Sequence, residues 1–150
     1  MSAFIERQRR YPDLLAYPGW DDLMHSQLAW GFDCGPGWLP LIDIALATLN
    51  WGSQHAPTAT IHVRQVKEKF GRLTIYADLS NVPPPVRDGI LSILSHLADL
   101  STYTCEQCGQ AGALRSTGGW WQTLCDACET AWQTADEPLS QFRIRLGREF

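Results

Sequence analysis

The chemistry this chain can do is concentrated in four of its five cysteines. Cys105-Glu106-Gln107-Cys108 and Cys125-Asp126-Ala127-Cys128 are separated by sixteen residues, giving a C-x2-C-x16-C-x2-C pattern. Two thiolates three positions apart can share one metal ion from a tight turn, and two such pairs complete the tetrahedral all-sulfur shell that Zn²⁺ favours. Four reduced core cysteines are a poor account of this spacing, and a redox C-x-x-C pair is a lesser alternative. Four thiolates leave no open coordination position for water, so the expected role of one Zn²⁺ here is structural, not catalytic. The zinc deaminase signature also requires H-x-E, which occurs nowhere in the chain.

No other constellation points to catalysis. Cys34 sits in a Gly-Pro turn without a recognisable base, and His25, His55, His62 and His96 are scattered. A phosphate-binding G-x-x-x-x-G-K loop is absent. The expectation is a protein that is not an enzyme.

Charge distribution is more informative. Over 150 residues the formal net charge is −4, which argues against a general nucleic-acid binder. Residues 11–60 contain Asp13, Asp21, Asp22, Asp33 and Asp43 and no Lys or Arg, a local charge of −5. The same stretch holds Trp20, Trp30, Trp38 and Trp51. Such a surface would attract a basic partner and speed its association. Asp21, Asp22 and Asp33, with Trp20 and Trp38 as anchors, are the candidate contacts for a basic protein, for example a toxin held by an immunity or antitoxin-type inhibitor. The alternative is a nucleic-acid-associated regulatory protein using Arg64, Lys67, Lys69 and Arg72 with Phe70 and Tyr76 nearby, helped by Arg143, Arg145 and Arg148. A solvated sheet face explains the first four cations more simply. Nucleic acid is therefore not the expected partner.

The elements that must position these residues are legible from periodicity. The fold class expected is α+β: a helical N-terminal part, an antiparallel β-hairpin plus long helix, and an integrated four-cysteine zinc finger, in a single domain over 1–150. Residues 3–10 predict a short helix ended by Pro12, and 20–30 predict another. Leu39, Ile42, Leu46 and Leu49 share one helix face, widened by Ile44, Ala45 and Trp51, so that helix should be largely buried. Residues 59–66 and 72–79 alternate as two strands around Phe70-Gly71. Pro83-Pro84-Pro85 opens a helix whose face is Val86, Ile90, Leu91, Leu94, Leu97 and Ala98. Phe142 to Leu146 alternates as a candidate edge strand. Trp120 and Trp121 are expected to pack over the metal core. No run of 18 apolar residues and no N-terminal apolar h-region is found, so neither a membrane span nor a secretory signal is expected.

Residues 103–136 resemble a treble-clef or zinc-ribbon finger. Cys105-x-x-Cys108-Gly109 looks like a zinc knuckle, Leu114-Arg115 and Trp121-Gln122-Thr123-Leu124 like hairpin arms around Gly118-Gly119, and Cys125 to Cys128 like the start of a helix over 126–135. Across residues 28–128, the blocks Trp30-Gly31-Phe32-Asp33-Cys34-Gly35-Pro36-Gly37-Trp38, Leu41-Ile42 and Val66-Lys67-Glu68-Lys69-Phe70-Gly71-Arg72-Leu73, followed by the four cysteines, resemble small proteins of bacteria and their prophages. That resemblance implies a bacterial cytoplasmic protein and brings no catalytic residue with it.

Overall fold

A computed structural model describes residues 2–16, 28, 31–117 and 119–134. Trp20, Asp21 and Asp22, most of the expected 20–30 helix, and the expected 142–146 strand with its arginines lie outside the described residues. Within them, four α-helices and two antiparallel hairpins form the predicted α+β architecture. Helix α1 (Ala3–Arg10) is capped by Ser2, whose hydroxyl accepts from the Ile5 N–H at 3.3 Å. Its Phe4 packs edge-on against Phe32, with ring centroids 5.1 Å apart. Its Arg7 grips Asp43 with two nitrogens at 2.6 and 2.7 Å, tying α1 to the next helix.

Helix α2 (Leu39–His55) follows a single 3-10 turn at Pro36–Trp38 and carries Pro40 in its first turn, where the missing N–H is harmless. Leu41, Ile42, Ala45, Leu46, Leu49 and Gly52 are its buried stripe. Ile44 and Trp51 do not widen that stripe as expected; each is half exposed, and Trp51 instead stacks on His55. Gly52 marks a close approach of α2 to its neighbours, since a Cβ there would lie 2.7 Å from Ile90 Cδ1 and 3.2 Å from Ile61 Cδ1.

Strands β1 (Thr60–Lys69) and β2 (Arg72–Ser80) pair antiparallel. The first runs past the expected end at 66 because a bulge between Val63 and Gln65 resets its alternation. Ile61 and Val63 face inward before the bulge, Val66 and Glu68 after it. The two-residue turn holds Phe70 at φ 52° and Gly71 at φ 77°, the type I′ geometry that suits strand twist. Beside β1, the Asp33 N–H donates to the Val66 carbonyl, and the Asp33 carbonyl accepts from the Glu68 N–H, both at 2.9 Å. Helix α3 (Pro84–Ser101) closes the core with Ile90, Leu97 and Ser101. Leu91, expected on the inner face, is exposed, because the small hairpin covers only a narrow strip of this helix.

The core centres on Phe32, Trp38, Ile42, Leu46, Val66 and Leu73. Burying each such side chain contributes about 1.5–3 kcal/mol. One polar contact inside it joins α3 to β2. The Ser101 hydroxyl accepts from the Leu73 N–H at 2.8 Å and donates to the Ala98 carbonyl at 2.6 Å. Ser101→Ala strands that buried N–H, so it should lower unfolding free energy by about 1–3 kcal/mol in a denaturant titration. An unchanged midpoint would show that the hydroxyl does not join helix to sheet.

Candidate metal centre

Two local structures bring the thiols together. The first pair sits on a knuckle after α3, where the Gly109 N–H donates to the Cys105 carbonyl at 2.9 Å with Gly109 at φ 76°. Glycine is favoured at that left-handed position because it has no Cβ to clash. The second pair opens helix α4 (Asp126–Gln133), with Cys125 as its N-cap. Between them run β3 (Ala113–Thr117) and β4 (Trp120–Leu124), an antiparallel hairpin at the expected place. Arg115 fastens the hairpin to α4, donating to the Leu124 carbonyl at 2.9 Å, to Asp126 at 2.6 Å and to Glu129. Leu124 and Trp132 are buried with Cys105 beneath the cluster.

The sulfurs of Cys105, Cys108, Cys125 and Cys128 all lie within 4.8 Å of one another, so the four could hold one metal ion. A regular tetrahedron with metal–sulfur bonds of about 2.3 Å has sulfur–sulfur edges of about 3.8 Å. The Cys108–Cys125 separation is 3.7 Å. Electrostatics favour a thiolate at the helix end. The Cys128 backbone N–H bonded to Cys125 Sγ brings the Cys125 thiol down to about 7, as a helix N-terminus does for a negative group. Desolvation pushes the Cys128 thiol up.

The knuckle is not a free module. It lies against the Gly35-Pro36-Gly37 turn with almost no space between the two backbones. The Gly37 N–H donates to the Glu106 carbonyl at 2.7 Å, and the Gly35 N–H to Glu106 Oε1 at 2.8 Å. The Trp38 indole N–H reaches the Thr104 carbonyl at 2.8 Å. A Cβ on Gly37 would collide with the Cys105 carbonyl oxygen and sit 2.5 Å from the Gly109 nitrogen. Glu106, a variable position of the C-x-x-C pair by pattern, is thus a buried strut. Burial raises its carboxyl to about 7, against the lowering by the Gly35 N–H and with a further rise from Asp33. Its Oε2 has no hydrogen-bond partner among the described residues. Gly35, Gly37 and Glu106 are not candidates from sequence; only the Gly-Pro-Gly punctuation marks the place.

The other candidate residues are dispersed. Trp38 is fully buried in the core, so it is not available as a partner anchor. Its large apolar ring fills the space between α2 and the knuckle. Asp33 is exposed at the β1 edge, while Asp43 in the acidic stretch is paired with Arg7. Arg64 pairs with Asp78, and Arg72 pairs with Asp99 at 2.6 Å. The Lys67 and Lys69 ammonium groups lie 5.8 Å from the Tyr76 ring and 6.0 Å from the Phe70 ring. Trp120 and Trp121 do not cover the metal cluster; both are about half exposed, because Leu124 and Trp132 already fill that space. Cys34 is buried in the main core.

The docking of knuckle on turn can be tested from both sides. Gly37→Ala forces apart two backbones that cannot yield cheaply, and should cost about 1–3 kcal/mol or more with faster loss of bound metal to a chelator. Wild-type melting and chelation kinetics in that variant would show the contact to be dispensable. For Glu106, the folded protein binds more protons than the unfolded chain between pH 4.5 and about 7. Its contribution therefore falls as pH rises through that window, by about 3 kcal/mol in all. Relative to wild type, Glu106→Gln should gain stability from about pH 5 to about pH 8. A pH-independent difference between the two would contradict the raised carboxyl.

No family model, curated protein or solved structure matches the chain. The likeness to small bacterial and prophage proteins thus rests on the residue blocks alone, and the metal centre on its own geometry.

Proposed function

We propose that the chain is a zinc-stabilised, non-catalytic binding protein, with one structural Zn²⁺ held by Cys105, Cys108, Cys125 and Cys128. The observation that carries this reading is the closure of four sulfurs to within 4.8 Å. Sulfur-only tetrahedral sites favour zinc, and full thiolate coordination leaves no place for a reacting water. The zinc-loaded cluster would carry −2, deepening the acidic bias of the protein. Because the knuckle shares backbone bonds with the 35–37 turn, the finger and the helical body form one domain in this reading.

The partner is a basic protein, and the role that of an immunity or antitoxin-type inhibitor in the bacterial cytoplasm. Support comes from residues 11–60, with five aspartates and no Lys or Arg, and from the exposure of Asp33. Trp38 is excluded from the contact by its burial; among the described residues, Trp51, half exposed on α2, is an available aromatic in its place.

Purified protein should contain one zinc per chain by elemental analysis. Cys105→Ser with Cys108→Ser should abolish that stoichiometry and unfold at least the finger; retained zinc would refute the site. The partner reading expects a stoichiometric complex with a basic protein encoded nearby, measured by association kinetics. Reversing Asp21, Asp22 and Asp33 to Lys should slow association, more at low salt than at high salt. An unchanged rate for the triple variant would remove the acidic surface from the interface while leaving the zinc assignment intact.

A further inference from the structure

The turn between β1 and β2 carries a residue that neither turn chemistry nor core packing explains. A type I′ turn wants Asn or Asp before its Gly, because both central residues adopt positive φ. This one has Phe70, at φ 52° and 72 % exposed. A bulky residue there is strained, and such strain is concentrated at functional positions. The turn is also firmly held. The Gly71 N–H donates to buried Glu68 Oε1 at 2.6 Å, and the Gly71 carbonyl accepts from the Thr123 hydroxyl of the finger at 2.6 Å.

That second bond extends the surface. Leu114 is the cross-strand partner of Thr123, and its Cδ1 takes up the space a Cβ on Gly71 would need. The next pair on the same face of this hairpin is Ser116 and Trp121, about 7 Å further along. Leu114 and Trp121 are each 47 % exposed. On β1–β2, Arg64 and Arg72 are neutralised by Asp78 and Asp99. Lys67 and Lys69 have aromatic rings beneath them in place of a carboxylate among the described residues. An acidic protein thus presents, among its described residues, two cations without a carboxylate partner beside exposed rings.

We propose that Phe70 and Trp121 form a stacking platform for single-stranded nucleic acid, with Lys67 and Lys69 on the phosphates. Stacking on exposed rings with cations along the backbone is how single strands are held without sequence preference. The rings outnumber aliphatic groups here, which fits flat bases better than acyl chains. The surface lies outside residues 11–60 and does not depend on the proposed basic partner.

The test uses the full, zinc-loaded chain and a fluorescein-labelled oligodeoxythymidine, read by anisotropy. Two lysine–phosphate contacts give an expected slope of log K against log salt of about −1.4. Lys67→Glu with Lys69→Glu should remove most binding. Phe70→Asn supplies the preferred Asn-Gly turn, so its melting temperature should hold or rise while affinity falls about tenfold. Trp121→Ala should cause a similar loss with zinc content unchanged. The proposal is overturned if the oligonucleotide fails to bind at low salt, or if Phe70→Asn binds as well as wild type. It is equally overturned if polyglutamate competes as well as the oligonucleotide, or if phosphatidylglycerol vesicles bind and the oligonucleotide does not.

Discussion

The rest of the structure depends on the backbone-to-backbone docking of the cysteine knuckle on the Gly35-Pro36-Gly37 turn. The Gly37 N–H to Glu106 carbonyl bond at 2.7 Å joins a loop that holds two metal-ligand candidates to the turn that starts α2. Trp38 follows immediately and seals both the core and the knuckle, its ring buried and its N–H satisfied by Thr104. A side chain larger than hydrogen at Gly37 has no place to go. The metal centre and the main hydrophobic core therefore share a wall, and disturbing one disturbs the other.

Glu106 shows how much the fold concedes to keep that wall. An acid buried with one oxygen bonded and the other without a partner among the described residues is stable only when neutral or when strongly compensated. Its neighbours supply one N–H and a repelling aspartate. The strut is thus held by geometry more than by charge. Arg115 works the opposite way: partly exposed, it joins three acceptors at the mouth of α4, where acidic side chains already suit the helix N-terminus.

Much of this architecture is legible in the sequence. The hairpin around Phe70-Gly71, the proline-opened α3, the short α1 and the finger hairpin all follow from period-two alternation, helical spacing or Gly and Pro punctuation. The four cysteines come together as their spacing implies. Burial of individual side chains is not legible in the same way. Trp38 and Trp121 are the same residue type close behind glycine turns, yet one is sealed and the other half exposed. Which ring is covered depends on contacts between segments distant in sequence, such as Trp38 to Thr104, and local pattern carries no record of them. Arg64 and Arg72 similarly read as a basic stripe until Asp78 and Asp99 are placed opposite them.

The separation of these contacts along the chain also has a kinetic meaning. The two cysteine pairs are bridged by one short hairpin, β3–β4, and Arg115 closes on α4 over a span of only 14 residues. The Gly35 to Glu106 bond spans 71 residues. Closing the longer loop costs more chain entropy, and contacts of high sequence separation form slowly. The contacts within the finger therefore close at a lower entropy cost than its docking on the helical body. The joint between the Gly35-Pro36-Gly37 turn and the knuckle is thus the costliest of these closures in chain entropy.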